Sequence, residues 1–324
     1  MSDVHPDVAA LIAAGRAAGS KPFEAMSPQE ARLAYAARKD LLQLPADIVA
    51  EKRDFTLHGP EGPIPVRLYR PAGAPVEAVL PCLVFCHGGG WVFGNLESHD
   101  GLCCRLANEA GACVVAIDYR LAPEHPFPAA IDDCAAAYAA IVRDAAALRI
   151  DPARVAIGGD SAGGNLAAVI ALMGRDGTLP APVFQALIYP VTDLSLTLDG
   201  YGERTDGMVI SGATMVYFQG HYTPDAASRE DWRASPLKAA SLAGVAPALV
   251  LTCGHDPLGA EGRAYAERLT TEGVRVTSLH LADQTHGMVT MTKAIPSAVG
   301  VQDFVAAALR DAFRVAVPND AVTL

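Results

Sequence analysis

The chain has 324 residues, 51% of them hydrophobic and 19% charged, with a formal net charge of -11. A chain of this length accommodates one large α/β domain or two smaller ones, and its apolar share is that of a compact protein rather than a disordered one. The acidic balance and scattered basic residues exclude the basic stripe of a nucleic-acid binder, and no apolar run approaches the roughly 18 residues of a membrane span.

Residues 1–45 come first and carry apolar residues at helical spacing, as in PQEARLAYAARKDLLQL, ahead of any strand. The opening MSDVHPDVAALIAAGRAAGS begins with acids, lacks a positive n-region and is interrupted by Arg16. It does not read as a secretory signal, so a cytoplasmic location is expected. Strand-like runs follow at residues 55–58, 65–69 and 83–86, then a helical stretch at 100–110 and a strand at 112–117. A helix at 128–147, a strand at 154–157, a helix at 162–174 and a strand at 183–188 continue the rhythm. Residues 195–227 interrupt it with a glycine- and threonine-rich insertion around the short apolar helix GATMVYFQG. Alternation resumes with strands at 248–252 and 274–279 and helices at 260–272 and 297–314.

Alternation of this kind predicts an α/β fold with an eight-stranded, mostly parallel sheet covered by helices on both faces. The catalytic core would span residues 46–324, with 1–45 and 195–227 covering one end of the sheet, because ligands of open parallel sheets bind beyond the strand C-termini. The seven cysteines sit largely in apolar runs without CxxC or Cys/His spacing, so neither a disulfide framework nor a metal site is expected.

Residues 83–95 read LVFCHGGGWVFGN. Three consecutive glycines cost more chain entropy to order than residues with side chains, so geometry must demand them. A Rossmann fingerprint would need glycine at Phe93, and a Walker loop would need lysine after Gly94, where Asn95 stands. Both phosphate templates fail.

A second glycine turn, GGDSAGGN at 158–165, places Gly159, Ser161 and Gly163 in G-x-S-x-G between a strand and a helix. Small flanking residues let such a serine occupy a strained elbow with its hydroxyl above the sheet. The Ala162 amide then lies at a helix N-terminus, where unsatisfied N–H groups favour negative charge. A serine nucleophile needs a base oriented by a carboxylate, and on this topology the order is serine, acid, histidine. Asp256 lies just past the strand at 248–252, and His286 follows the last strand. Asp283 would be cramped on the loop of His286, while His255 and His280 read as structural.

With HGGGW at 87–91, YRLAPEHPFPAA at 119–130, GGDSAGGN at 158–165, DPL at 256–258 and HGM at 286–288, the sequence resembles the bacterial hormone-sensitive-lipase-like (family IV) esterases over most of its length. The resemblance implies an α/β-hydrolase core under a helical cap built from the two irregular segments. It places the oxyanion donors on the amides of Gly88, Gly89 and Ala162, the nucleophile on Ser161, the acid on Asp256 and the base on His286. The residue after the His-Gly pair departs from the frequent phenylalanine and is Met288, which would soften the acyl pocket.

The implied reaction is hydrolysis of short- to medium-chain carboxylic esters through an acyl-enzyme, with no metal and no organic cofactor. An amidase, a lactonase or a carbamate hydrolase would use the same groups, and a hydrolase-fold receptor would need a broken triad. Trp91, Phe93, Tyr189, Met208, Phe218, Leu258 and Met288 are the candidate pocket walls, and Asp160 and Glu124 candidate supports. The partner is a small-molecule ester, with a homodimer through the last helix or a late strand as a further expectation.

Overall fold

The computed structural model describes residues 3–201 and 208–315. Eight strands form one sheet in the order β1-β2-β4-β3-β5-β6-β7-β8: β1 Glu51–Gly59, β2 Gly62–Arg70, β3 Leu80–Cys86, β4 Cys113–Ile117, β5 Ile150–Asp160, β6 Gln185–Ile188, β7 Ala248–His255 and β8 Val276–Thr285. Only β2 runs against its neighbours, pairing antiparallel with β1 and β4, while β4, β3, β5, β6, β7 and β8 are mutually parallel.

Strand side chains alternate between faces, and β3 shows the result: Cys82, Val84 and Cys86 enter one core, Leu83 and Phe85 the other. Helices α5 Ala129–Arg143, α6 Ala162–Arg175 and α8 Gly259–Thr271 supply Ile131, Tyr138, Leu166, Ile170 and Tyr265 to the first. Helices α4 Asp100–Ala110 and α9 Ser297–Val315 close the second with Leu102, Leu106, Val305 and Leu309. Each buried aliphatic side chain of this kind stabilises the fold by about 1.5–3 kcal/mol before chain entropy is counted. All seven cysteines are buried free thiols.

Two of the departures from the sequence pattern bear on the architecture near the site. The helix expected over 128–147 stops at Arg143, because Arg149 at φ 53 turns the chain so that Ile150 can pair with Leu80. The last strand extends to Thr285, which pairs with His255, so it delivers the chain directly to His286.

The N-terminal segment forms α1 Pro6–Ala17, α2 Pro28–Ala37 and the short α3 Lys39–Leu42. Ser27 and Glu30 form a capping box at the start of α2, satisfying N–H groups that have no intrahelical acceptor. The insertion contributes α7 Gly212–Tyr222; its residues 202–207 lie outside the described residues. Glu24 joins the two segments, accepting from Thr214 Oγ1 at 2.7 Å and Ser211 Oγ at 3.3 Å. Arg32 fastens α2 to the core, donating from Nε to Val92 O at 2.8 Å, from Nη2 to Ala122 O at 2.9 Å, and to the Glu124 carboxylate. Among the described residues no helix is long and apolar enough to cross a membrane.

Candidate active site

The turn from β5 into α6 holds Ser161 at φ 57, ψ -119, a conformation that L-residues adopt only under constraint. Its neighbours explain the constraint. A Cβ at Gly159 would lie 2.4 Å from Cys86 O, and one at Gly163 would lie 1.9 Å from the same oxygen. The end of β3 therefore passes so close that neither position admits a side chain. Ser161 N donates to Ile188 O at 2.8 Å, and Ser161 O accepts from Asn165 N at 3.0 Å, which fixes the elbow from both sides.

The loops after β7 and β8 bring Asp256 and His286 to this serine. Ser161 Oγ is 2.8 Å from His286 Nε2, and His286 Nδ1 is 2.8 Å from Asp256 Oδ2. An ionised carboxylate only accepts, so Nδ1 carries the proton and Nε2 accepts the serine hydroxyl. Asp256 Oδ1 accepts from Leu258 N at 2.8 Å, which leaves Oδ2 to the imidazole. The competing groups stand elsewhere: the exposed His280 on β8 has its Nδ1 2.9 Å from Thr252 Oγ1, and Asp283 offers its carbonyl to His5 N.

The glycine loop after β3 is oriented by side chains. Burial pushes the His87 imidazole down to about 3, so it is neutral, and its Nδ1–H donates to Gly88 O at 2.8 Å. In a trans peptide the C=O and the following N–H point in opposite directions, so the Gly89 N–H faces away from His87. Likewise Gly89 O accepts from Val92 N and Phe93 N at 3.1 and 3.0 Å, which turns the Gly90 N–H out of that tight turn.

Gly88 departs from its expected role. Its N–H donates to Asp160 Oδ1 at 2.8 Å, so it is not available to a ligand, and the two outward amides of the loop are those of Gly89 and Gly90. Burial pushes the Asp160 carboxyl up, but His99 and the Gly88 N–H outweigh it and leave it below the usual range. Ala162 stands as expected at the first position of α6, where its N–H has no intrahelical acceptor.

A cavity of about 70 Å³ opens onto Ser161 and His286, walled by Phe23, Phe93, Ile210, Met215, Phe218 and Met291, with Gly89 and Gly90 at its base. Of the expected pocket residues it receives Phe93 and Phe218. Trp91 instead stacks flat on Tyr222, with ring centroids 4.2 Å apart. Tyr189, at φ 36, packs beneath the His286 ring at 4.5 Å. Leu258 and Met288 are buried in the two cores, and Met208 gives way to its neighbours Val209 and Ile210, which line the cavity. Phe23 and Met215 were legible only as apolar residues of the two irregular segments, since nothing local marks which side chains meet the serine. Glu124, read as a support, instead pairs with Arg32 of α2.

A larger recess of about 530 Å³ shares Tyr35 and Ser98 with this cavity but reaches none of Ser161, Asp256 and His286, so the chemistry resides in the smaller one. Among the described residues no group of His, Cys, Asp or Glu is arranged to hold a metal ion.

The sequence pattern of the alpha/beta hydrolase fold family matches residues 83–290. An ethyl acetate hydrolase from Pseudomonas putida is 39% identical over 301 residues, covering 91% of this chain and 95% of its own. The carboxylic ester hydrolase LipN of Mycobacterium tuberculosis is 41% identical over 261 residues, covering 78% of this chain and 69% of its own. Among solved structures, a serine-to-alanine mutant of LAE6, an alpha/beta hydrolase from the metagenome of Lake Arreo, superimposes with a TM-score of 0.91 at 39% identity, covering 96% of this chain and 99% of its own.

Proposed function

The chain belongs to the α/β-hydrolase-fold family and, within it, to the bacterial hormone-sensitive-lipase-like esterases, and from this membership together with the site we infer that it is a serine carboxylesterase. The observation that carries the reading is the unbroken hydrogen-bonded path from Ser161 Oγ through His286 to Asp256, each link 2.8 Å. Alone, a serine hydroxyl is a weak nucleophile at neutral pH; beside an imidazole held in the right tautomer it is a strong one.

In the proposed reaction His286 Nε2 takes the Ser161 proton as Oγ attacks the ester carbonyl. Asp256 keeps the imidazole oriented and stabilises its cation. The amides of Gly89, Gly90 and Ala162 receive the oxyanion. This trio replaces the one expected from the sequence, since the Gly88 N–H is bonded to Asp160. His286 then protonates the departing alcohol, and water attacks the acyl-enzyme by the same steps in reverse roles.

The aromatic wall and the small volume of the cavity support short acyl groups as the preferred substrates. A homodimer has support at β8, the outermost strand of the sheet, and at α9, whose Phe304 is exposed; sedimentation analysis tests it. The enzymatic reading is tested by p-nitrophenyl butyrate turnover and fluorophosphonate labelling. Wild-type protein hydrolyses the ester and gains the phosphonyl mass on Ser161, whereas Ser161→Ala does neither; turnover by Ser161→Ala at the parent rate would overturn the assignment.

A further inference from the structure

Asp160 directly precedes the nucleophile, is almost fully buried and has no part in the path from Ser161 to Asp256. A buried carboxylate is costly unless it is paired and hydrogen-bonded, and its partners are specific. Oδ1 accepts from Gly88 N at 2.8 Å and lies 3.1 Å from His99 Nε2. His99 Nδ1 in turn lies 2.9 Å from Ser98 Oγ. That hydroxyl donates to Asn95 O at 2.8 Å and accepts from Asn95 N at 2.9 Å, so the imidazole rests on a fixed support. A Cβ at Gly88 would fall 2.4 Å from Asp160 Oδ2, which shows how closely the carboxylate is seated against the loop.

Gly88 is thereby held at both ends, its N–H by Asp160 and its C=O by His87. Flipping the Gly88–Gly89 peptide would break the His87 bond to Gly88 O, and moving the His87–Gly88 peptide that precedes it would break the bond to Asp160. Because Asp160 is also bonded covalently to Ser161, the start of the glycine loop that carries the Gly89 and Gly90 amides is tied to the position of the nucleophile.

We propose that Asp160, backed by His99, is a positioning residue that sets the oxyanion donors relative to Ser161. The proposal rests on the esterase reading above. It has a distinctive signature, because a displaced donor weakens binding of the transition state and leaves the ground state nearly untouched.

The experiment measures kcat and KM for p-nitrophenyl butyrate alongside the affinity of butylboronic acid, whose tetrahedral adduct on serine carries an oxygen where the oxyanion forms. Loss of a single oxyanion donor typically costs about 100- to 1,000-fold in kcat. Asp160→Ala is expected to lower kcat by about 100-fold with KM within about threefold, and to weaken the boronic acid in parallel. Asp160→Asn keeps a carbonyl oxygen for the Gly88 amide and is expected to stay within about tenfold of the parent.

If Asp160→Ala does not fold, His99→Leu carries the test, with kcat and boronic acid affinity expected to fall together by about tenfold. A variant series in which boronic acid affinity is unchanged, or in which Asp160→Ala keeps its kcat within about threefold, would overturn the proposal. Ser161→Ala in the same assay separates the two readings. If it turns over ester at the parent rate, Ser161 is not the nucleophile and the reading on which the proposal rests fails; if it is inactive while Asp160→Ala is fully active, only the positioning role fails.

Discussion

The Phe218 ring lies directly over Gly90, so that a Cβ added to that glycine would fall 2.3 Å from the ring carbons. This contact sets a side chain of α7 against the glycine loop. Phe218 meets Phe93 edge-on at 5.3 Å, and Phe93 packs against Phe23 at 4.7 Å and Tyr35 at 4.6 Å. Removing the ring in Phe218→Ala should lengthen the cavity. In a chain-length series of p-nitrophenyl esters, kcat/KM for octanoate relative to butyrate is expected to rise about tenfold, the order of one or two methylenes in an apolar pocket. The melting temperature should fall at the same time, since a buried ring replaced by alanine typically costs about 3–5 kcal/mol.

Asp256 keeps His286 in the tautomer that accepts the serine proton. Asn at that position can present its amide nitrogen to Nδ1 and stabilise the opposite tautomer. Asp256→Asn is therefore expected to fold normally, bind ester with a similar KM and lose about 10,000-fold in kcat, the magnitude seen for this change in a serine protease. A loss of less than tenfold would mean another group orients the imidazole.

Gly89 stands at φ +119, and a Cβ there would lie 2.1 Å from Phe93 O. Alanine has to shift the loop that carries the two outward amides. Gly89→Ala should lower kcat by about 100-fold or more while circular dichroism stays native-like. Unaltered turnover would show that these amides do not bind the oxyanion.

Burial pushes the Asp118 carboxyl up to about 6, against a smaller downward pull from Arg67. A carboxyl whose folded value stands above its unfolded value of about 3.9 binds its proton more tightly in the native state. Its contribution to stability is complete below about pH 4 and is lost as the pH rises through about 6. Asp118→Asn cannot ionise, so its melting temperature should exceed the parent's above pH 6, with the advantage shrinking to nothing at about pH 4. A difference independent of pH would refute this account.

The motifs themselves were legible because each is local chemistry. G-x-S-x-G marks an elbow that tolerates no side chain beside Cys86 O, and the acid and base each follow a strand run that periodicity reveals. The direction of an amide is different, since the bond that occupies the Gly88 N–H comes from Asp160, 72 residues away. The walls escaped for the same reason. Trp91 at φ 58 and Tyr189 at φ 36 are turned by backbone conformations that the residue types do not announce, one onto Tyr222 and the other beneath His286. Apolar side chains near a motif are as readily core as pocket, and only tertiary packing assigns them.

The sealed thiols of the interior give the molecule a practical property. With all seven native cysteines free and buried in the folded chain, one cysteine introduced on the outer face of α2, at Leu33, where the side chain is 73% exposed, would be the most accessible sulfhydryl. A spin label or fluorophore attached there, with a second beside the sheet, would report the spacing between α2 and the sheet during turnover without first stripping the native cysteines.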